Sequence, residues 1–214
     1  MTERTVRVDR AGATREAILG TAEQLFAEHG VHAVSNRHIS EVAGQGNNAA
    51  VNYHFGTKVD LVRAIMRKHS ARLEVLRTEM VDAMPAGPGL REWVACLVRP
   101  TTSYLDELGA PSWFARFGAQ IMTDPALREI MVTESLSSPV LAHAVDGLNR
   151  CLPQLPREVR AERGDMVRQL MIHVTAERER ALAEGTPTPR ATWADAATGL
   201  IDGIIGLVLA PVTR

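Results

Sequence analysis

The sequence is poor in cysteine and in long apolar runs. Its only two cysteines, Cys96 and Cys151, are far apart, which excludes a disulfide framework and a CxxC metal motif and predicts reduced thiols. The longest apolar stretch, residues 204–210, is much shorter than the ~20 residues that cross a bilayer. The charged first ten residues lack the apolar core of a secretory signal. We therefore expect a cytoplasmic protein with no membrane partner.

Catalytic motifs are also missing. No GxSxG, Walker or GxGxxG pattern occurs, and His29, His32 and His38 have no cysteine or acidic cluster spaced for zinc. The sequence therefore predicts neither an enzyme nor a protein with a cofactor or a metal.

Charge is distributed unevenly, although the net charge is only −1. Residues 1–80 contain 11 Lys+Arg and 9 Asp+Glu, whereas the remainder contains 13 and 16. The difference is small, but a mildly basic front and an acidic remainder are compatible with a nucleic-acid-binding head on a neutral body.

Apolar residues recur at helical spacing along most of the chain, and strand and hairpin patterns are scarce. Thr14 and Gly30 are the expected limits of the first helix, and Pro100 is expected to kink or split the fifth. The sequence predicts an all-α fold with about nine helices, over residues 15–29, 36–43, 48–54, 58–84, 90–108, 112–122, 125–149 with an interruption at 137–139, 157–184 and 192–209.

Two short helices on either side of a glycine-containing turn fit a helix-turn-helix. Ser35 and Asn47 are the expected caps of these two helices. Such a unit places its second helix in the major groove, where asparagine pairs with adenine and an alanine methyl contacts thymine. This assigns base contacts to Asn48, Ala49 and Asn52. The pattern alone equally allows a three-helix part of a larger core.

A longer motif extends over roughly residues 12–65. It comprises Thr14-Arg15-Glu16-Ala17-Ile18-Leu19, Ala22, Leu25-Phe26, Gly30, Arg37, Ile39, Ala43-Gly44, Val51-Asn52-Tyr53-His54-Phe55-Gly56-Thr57-Lys58 and Leu61. These residues and their spacing resemble the TetR family of bacterial transcriptional regulators. The resemblance implies an all-α homodimer with an N-terminal DNA-binding domain and a C-terminal domain for effector binding and dimerisation. The expected domains are a flexible arm over 1–11, a helix-turn-helix domain over 12–57 and a ligand-binding and dimerisation domain over 58–214.

Three departures from the family pattern concern the head. The stretch from Ala43 to Phe55 is one residue longer than is common, which places an extra residue in the turn near Gln45 to Asn47. Val34 stands where a capping threonine is frequent, and Asn52 stands where tyrosine is commonest. In the arm, Arg4, Arg7 and Arg10 either reach DNA or are disordered, and we favour disorder.

The resemblance also implies phosphate contacts by Tyr53, Thr57 and Lys58. Physical chemistry agrees, because a helix N-terminus with an adjacent lysine attracts an anion. Arg37 is a further phosphate candidate and Arg15 a weaker one, whereas His54-Phe55 is assigned to packing. The predicted DNA-binding residues are Ser35, Arg37, Gln45, Asn47, Asn48, Ala49, Asn52, Tyr53, Thr57 and Lys58.

The last helix has a wide apolar stripe together with Gly199, Gly203 and Gly206, which suits the close approach of another backbone. It forms either a dimer interface, shared with residues 157–184, or an ordinary core helix. The predicted interface residues are Met171, Trp193, Leu200, Ile201, Gly203, Ile204 and Val208.

Aromatic residues of the body are concentrated between residues 93 and 117, and four methionines, Met122, Met131, Met166 and Met171, add adaptable volume. They form either an apolar effector pocket with a few polar groups or plain core. The residues assigned to this pocket are Trp93, Trp113, Phe114, Phe117, Gln120, His143 and His173.

The sequence therefore predicts a dimeric repressor that binds double-stranded operator DNA and is released from a palindromic site by an unknown small organic effector. The alternative is a helical ligand-binding or scaffolding protein that has lost specific DNA binding.

Overall fold

The computed structural model describes residues 2–47 and 49–212, apart from the side chains of residues 2–10 and 136, and this part of the chain is folded into helices without a strand. The all-α prediction is confirmed. There are ten described helices rather than about nine, because Ser138 caps a separate helix that Pro139 opens. The helices are α1 (Thr2–His29), α2 (Asn36–Val42), α3 (Ala50–Phe55), α4 (Lys58–Asp82), α5 (Leu90–Leu108), α6 (Phe114–Thr123), α7 (Pro125–Leu136), α8 (Pro139–Cys151), α9 (Arg157–Ala183) and α10 (Trp193–Leu209).

The first helix begins at Thr2 and not at Thr14, so the predicted start of the helix is wrong and residues 2–11 are helical rather than a separate arm. Residues 2–13 contain no proline, and their one glycine, Gly12, costs only ~1 kcal/mol relative to alanine. Met1 and the side chains of the arm arginines lie outside the described part. The other end agrees with prediction: Gly30 adopts φ +83°, and its N–H bonds the Phe26 carbonyl at 2.9 Å.

Helices α1 to α4 form the head, and α6 packs against them. Ile18 of α1, Ile39 of α2, Val51 of α3 and Leu61 of α4 are each fully buried in one core. Phe117 of α6 belongs to the same core and stacks on Phe26 with ring centroids 6.2 Å apart. The head is therefore joined to the body by continuous apolar packing.

The body core is formed mainly by α5, α8, α9 and α10. Val94 and Leu97 of α5 and Ile201 and Ile204 of α10 are buried in it. Helix α5 runs from Leu90 to Leu108 through Pro100, so of the predicted kink or split the split is wrong.

Two buried polar clusters fix the helices that connect head and body. His69 of α4 lies 2.9 Å from the Glu23 carboxylate of α1 and 2.8 Å from the Tyr104 hydroxyl of α5. Glu179 of α9 accepts hydrogen bonds at the start of α6 from the Ser112 hydroxyl and from the N–H groups of Ala115 and Arg116. A buried carboxylate at a helix N-terminus also interacts favourably with the helix dipole.

Within the described chain, no helix is both long and apolar enough to cross a membrane. No cluster of His, Cys, Asp and Glu suited to a metal ion occurs among the described residues.

Candidate nucleic-acid interface and ligand cavity

The entry into the helix-turn-helix is fixed by local hydrogen bonds. The Ser35 hydroxyl caps α2 by accepting from the His38 N–H at 3.0 Å, as predicted. After α2, Gly44 adopts φ +68°, a backbone conformation that suits glycine, and the Gln45 N–H returns to the Ser40 carbonyl at 2.9 Å. This turn brings the chain round to α3.

Helix α3 begins at Ala50 rather than at residue 48. Asn47 nevertheless shapes the entry, because its Oδ1 accepts from the Ala49 N–H at 2.9 Å. Ala49 occupies the cap position and is exposed, whereas the predicted base contact Asn48 lies outside the described residues.

The two faces of α3 differ in character. Ala50 and Val51 are buried in the head core, whereas Asn52 and Tyr53 face outward. Tyr53 is 84% exposed, which is unusual for a tyrosine whose ring has apolar surface to bury. The Asn52 Oδ1 accepts from the Asn36 Nδ2 of α2 at 2.7 Å, which leaves the Asn52 NH₂ group to donate elsewhere.

The side chains of two other predicted DNA contacts, Arg37 and Gln45, already form hydrogen bonds within the protein. Arg37 is exposed, and its Nε donates to Glu41 at 2.8 Å, which raises the pKa of the guanidinium. Gln45 is half-buried, and its side chain donates to the Ala43 carbonyl at 3.0 Å. Phe55 packs against the head core beneath the guanidinium of Arg15, which lies 4.8 Å from the ring centroid, in agreement with its assignment to packing.

The start of α4 is closed by a capping box. The Thr57 hydroxyl accepts from the Asp60 N–H at 3.1 Å and donates to the Asp60 carboxylate at 2.6 Å, while the Thr57 N–H donates to the same carboxylate. The Thr57 side-chain and backbone hydrogen bonds hold the pKa of Asp60 below its ordinary value. Sequence reasoning missed this box, although threonine followed three residues later by an acidic residue is its signal.

Lys58 lies beside this cap and is half-buried. Its Nζ donates to the Val31 carbonyl, 3.1 Å away in the loop after α1, and burial lowers its pKa. An ammonium group has three donors, so two remain for a phosphate.

A cavity of about 1170 Å³ lies in the body, lined by residues of α4 to α10, and it is large enough for a drug-sized ligand. Its described lining is mainly apolar and includes Leu97, Met122, Met131, Leu148 and Met171. Three of the four methionines singled out in the sequence line this space, whereas Met166 is exposed and lies outside its described lining.

The predicted pocket residues mostly lie elsewhere, and among the described residues that line the cavity only Phe114 belongs to that set. Trp93 is buried against Gly147, Phe117 stacks on Phe26, and Trp113 lies beneath the Arg116 guanidinium. Large aromatic rings fill the gaps between packed helices, and these three rings therefore pack between helices rather than along the cavity wall. The remaining predicted residues are Gln120, half-buried on α6, and His143 and His173, which are exposed on α8 and α9.

The predicted interface residues also need correction. Most of the apolar stripe of α10 is buried within the protomer, because α5 offers a matching apolar face, and it is not available to a second chain. Met171 instead lines the cavity. Gly203 alone of this set is exposed, and a Cβ built on it meets no atom within 4 Å. The buried members are Trp193, Leu200, Ile201, Ile204 and Val208.

Known proteins resemble this chain over part of its sequence or in its fold. The HTH-type transcriptional repressor AcnR of Corynebacterium glutamicum is 32% identical over 92 residues, which cover 41% of this chain and 48% of AcnR. AcnR of Corynebacterium diphtheriae is 34% identical over 86 residues, covering 38% and 45%. The chain thus spans about half the length of the curated relatives it matches. AmtR of Mycobacterium smegmatis has a similar fold, with a TM-score of 0.58, 23% identity and coverage of 89% of this chain and 85% of AmtR.

Two family descriptions match the sequence directly. "Bacterial regulatory proteins, tetR family" matches residues 18–65, which contain the helix-turn-helix. "Tetracyclin repressor-like, C-terminal domain" matches residues 95–206, more than half of the 214-residue chain. The chain therefore belongs to the TetR family of bacterial regulatory proteins.

Proposed function

We propose that this chain is a sequence-specific transcriptional repressor that binds a palindromic operator as a homodimer and is released by a small organic effector. One observation carries the DNA-binding part: α3 is held in the head core by Ala50 and Val51 while it presents Asn52 and an 84% exposed Tyr53 outward. A cytoplasmic location follows from the proposed target.

In this proposal α3 enters the major groove and Asn52 reads a base, since its NH₂ group is left to donate. Tyr53, Arg37 and Lys58 contact phosphates, and the first N–H groups of α4 add to the positive potential there. The capping box makes Thr57 a weaker phosphate ligand, because Asp60 already occupies its hydroxyl. Ser35, Gln45, Asn47, Asn48 and Ala49 complete the proposed contact set.

Dimerisation places two heads on one operator. Two recognition helices must lie one DNA turn apart, ~34–36 Å, to read adjacent major grooves. The surface proposed for dimerisation uses exposed parts of α9 and α10, since Gly203 and Gly206 leave room for close approach. Leu209 of α10 and Val174 of α9 add exposed apolar surface, at 48% and 40% exposure.

Helix α4 provides the connection between the effector and DNA. It starts at the head with Lys58 and reaches the cavity with Leu73 and Arg77. A ligand that binds better when α4 is tilted favours head spacings that do not match DNA. Typical coupling of this kind is ~1–3 kcal/mol, or about 5–150-fold in affinity, and operator DNA must weaken the ligand by the same factor.

Selection of bound sequences from random double-stranded DNA tests the proposal. We expect a palindromic consensus, and we expect Asn52→Ala to change base preference at about one position per half-site. Selection that enriches no sequence would favour the alternative, a ligand-binding or scaffolding protein without specific DNA binding.

The dimer surface is tested by Gly203→Trp, which we expect to yield monomers or aggregates in light scattering. The matched control is Gly20→Trp, since Gly20 of α1 is also exposed and open around its Cα. A well-folded Gly203→Trp dimer that binds DNA normally would contradict the surface.

A further inference from the structure

The lining of the cavity has an unusual charge balance. Among the described residues around this mainly apolar space, six are arginines and only two, Glu129 and Asp165, are acidic. The arginines are Arg77, Arg128, Arg157, Arg160, Arg163 and Arg168.

Two of these arginines have clear partners. Arg168 donates to Asp165 at 2.7 Å, and Arg163 donates to the carbonyls of Val208 and Ala210 at 2.9 and 2.6 Å. Arg77 differs from Arg168 in having no carboxylate within 4.0 Å of its guanidinium nitrogens in the described part of the chain, and it differs from the half-buried Arg163 in its burial.

Arg77 is also deeply buried, with 7% of its surface exposed. Its Nε donates to the Cys96 carbonyl at 3.3 Å, and no further acceptor for the guanidinium occurs among the described residues. Burial lowers its pKa, and Glu74 on the preceding turn opposes that effect from a distance. A buried cation without a counter-ion is strongly unfavourable unless an anion joins it.

We propose that the cavity binds an amphipathic organic carboxylate, with the carboxylate on the Nη groups of Arg77 and the apolar body against Leu97, Phe114 and Met171. The two Nη groups can bind both carboxylate oxygens, a geometry that arginine favours. This inference names the class of effector and rests on the proposed function for its role in regulation.

The apolar part of such a ligand accounts for the size of the cavity. The cavity volume of about 1170 Å³ exceeds what a small polar anion needs and suits a ligand with an extended apolar part. Each additional methylene buried there should raise affinity about fourfold until the space is filled.

Calorimetric titration of the full chain, without DNA, tests the inference. The probes are octanoate, decanoate and decanamide, the last being the neutral counterpart of decanoate. We expect decanoate to bind more tightly than octanoate and than decanamide. Arg77→Met should weaken decanoate binding about 10- to 100-fold and leave decanamide unchanged. The matched control is Arg180→Met on α9, since Arg180 is exposed, lies outside the cavity lining and pairs with Glu177.

Equal affinities of the parent chain for decanoate and decanamide would overturn the inference, as would unchanged decanoate binding by a folded Arg77→Met variant. Circular dichroism checks folding, and if Arg77→Met unfolds, the parent comparison of the two probes decides. Carboxylate discrimination in a chain that selects no DNA would overturn the proposed function and leave this inference standing. A clear DNA consensus without carboxylate discrimination would support the proposed function and overturn this inference.

Discussion

The Nε of Arg77 on α4 donates to the backbone carbonyl of Cys96 on α5 at 3.3 Å. In an unbroken helix that carbonyl would accept from the N–H four residues later, but residue 100 is proline and has none. The buried arginine therefore satisfies a carbonyl that the proline leaves free. This bond helps α5 to continue through Pro100 and holds the guanidinium at the cavity.

Pro100→Ala should reduce the dependence of folding on Arg77, because the new N–H can bond the Cys96 carbonyl. We expect the loss of unfolding free energy caused by Arg77→Met to be about 0.5–1.5 kcal/mol smaller in the Pro100→Ala background. Urea unfolding of the four chains measures this difference. Pairing Arg77→Met with Gly20→Ala on α1, which lies outside the cavity lining, should give additive changes in unfolding free energy. Additivity with Pro100→Ala would contradict the substitution of one donor for the other.

Glu179→Gln should destabilise the fold strongly. The Glu179 carboxylate is 2% exposed, accepts from the start of α6 and lies 3.4 Å from the Arg116 guanidinium. Its loss leaves a buried cation unpaired, which typically costs about 3–5 kcal/mol. Glu177→Gln is the control on the same helix, because its exposed pair with Arg180 should contribute about 0–1 kcal/mol. Similar losses for the two variants in urea unfolding would refute the role of Glu179 as an anchor for α6.

Gly147→Ala and Gly164→Ala should change thermal stability in opposite directions. A Cβ on Gly147 would lie 2.3 Å from the Trp93 ring, and such overpacking costs about 1–3 kcal/mol. A Cβ on Gly164 meets no atom within 4 Å, so alanine there should stabilise α9 by about 0.5–1 kcal/mol. Calorimetric melting of both variants gives the signs, and stabilisation by Gly147→Ala would show that Trp93 does not pack on α8 as described.

Thr57→Ala should raise the pKa of Asp60 toward its ordinary value, because Thr57 supplies the hydrogen bonds that lower it. A carboxyl with a lowered folded-state pKa stabilises the fold above its unfolded pKa of about 4 and loses that contribution as the pH falls through the folded value. The stability difference between the parent and Thr57→Ala should therefore shrink in acid. Carboxyl NMR titration measures the pKa, with Thr78→Ala on the same helix as control. An unshifted Asp60 titration in Thr57→Ala would count against the capping box.

Lys58→Ala should weaken binding to operator and random DNA by similar factors and reduce the salt slope by about one ion, since a phosphate contact carries no sequence information. Lys68→Ala is the control, because Lys68 is the chain's other lysine and is exposed further along α4. Binding isotherms at several salt concentrations give the slopes. Equal slopes for Lys58→Ala and the parent would remove Lys58 from the proposed interface.

The sequence by itself determined the helical class, most helix ends and the family. Gly30, Ser35, Thr57 and Asp124-Pro125 end or begin helices as predicted, because capping depends on residues within one turn. The spaced head motif likewise identified a family of regulators rather than enzymes, which the comparisons confirm.

Only the tertiary structure decided which apolar surfaces meet. The α10 stripe looks the same in sequence whether it faces a second chain or α5, and the aromatic residues look the same in a pocket wall or a core. Helical periodicity fixes which side chains share a face, but the partner of that face depends on how distant segments pack. For the same reason the sequence did not show that Arg77 is buried beside Cys96 without a counter-ion, since its surroundings come from helices far apart in the chain.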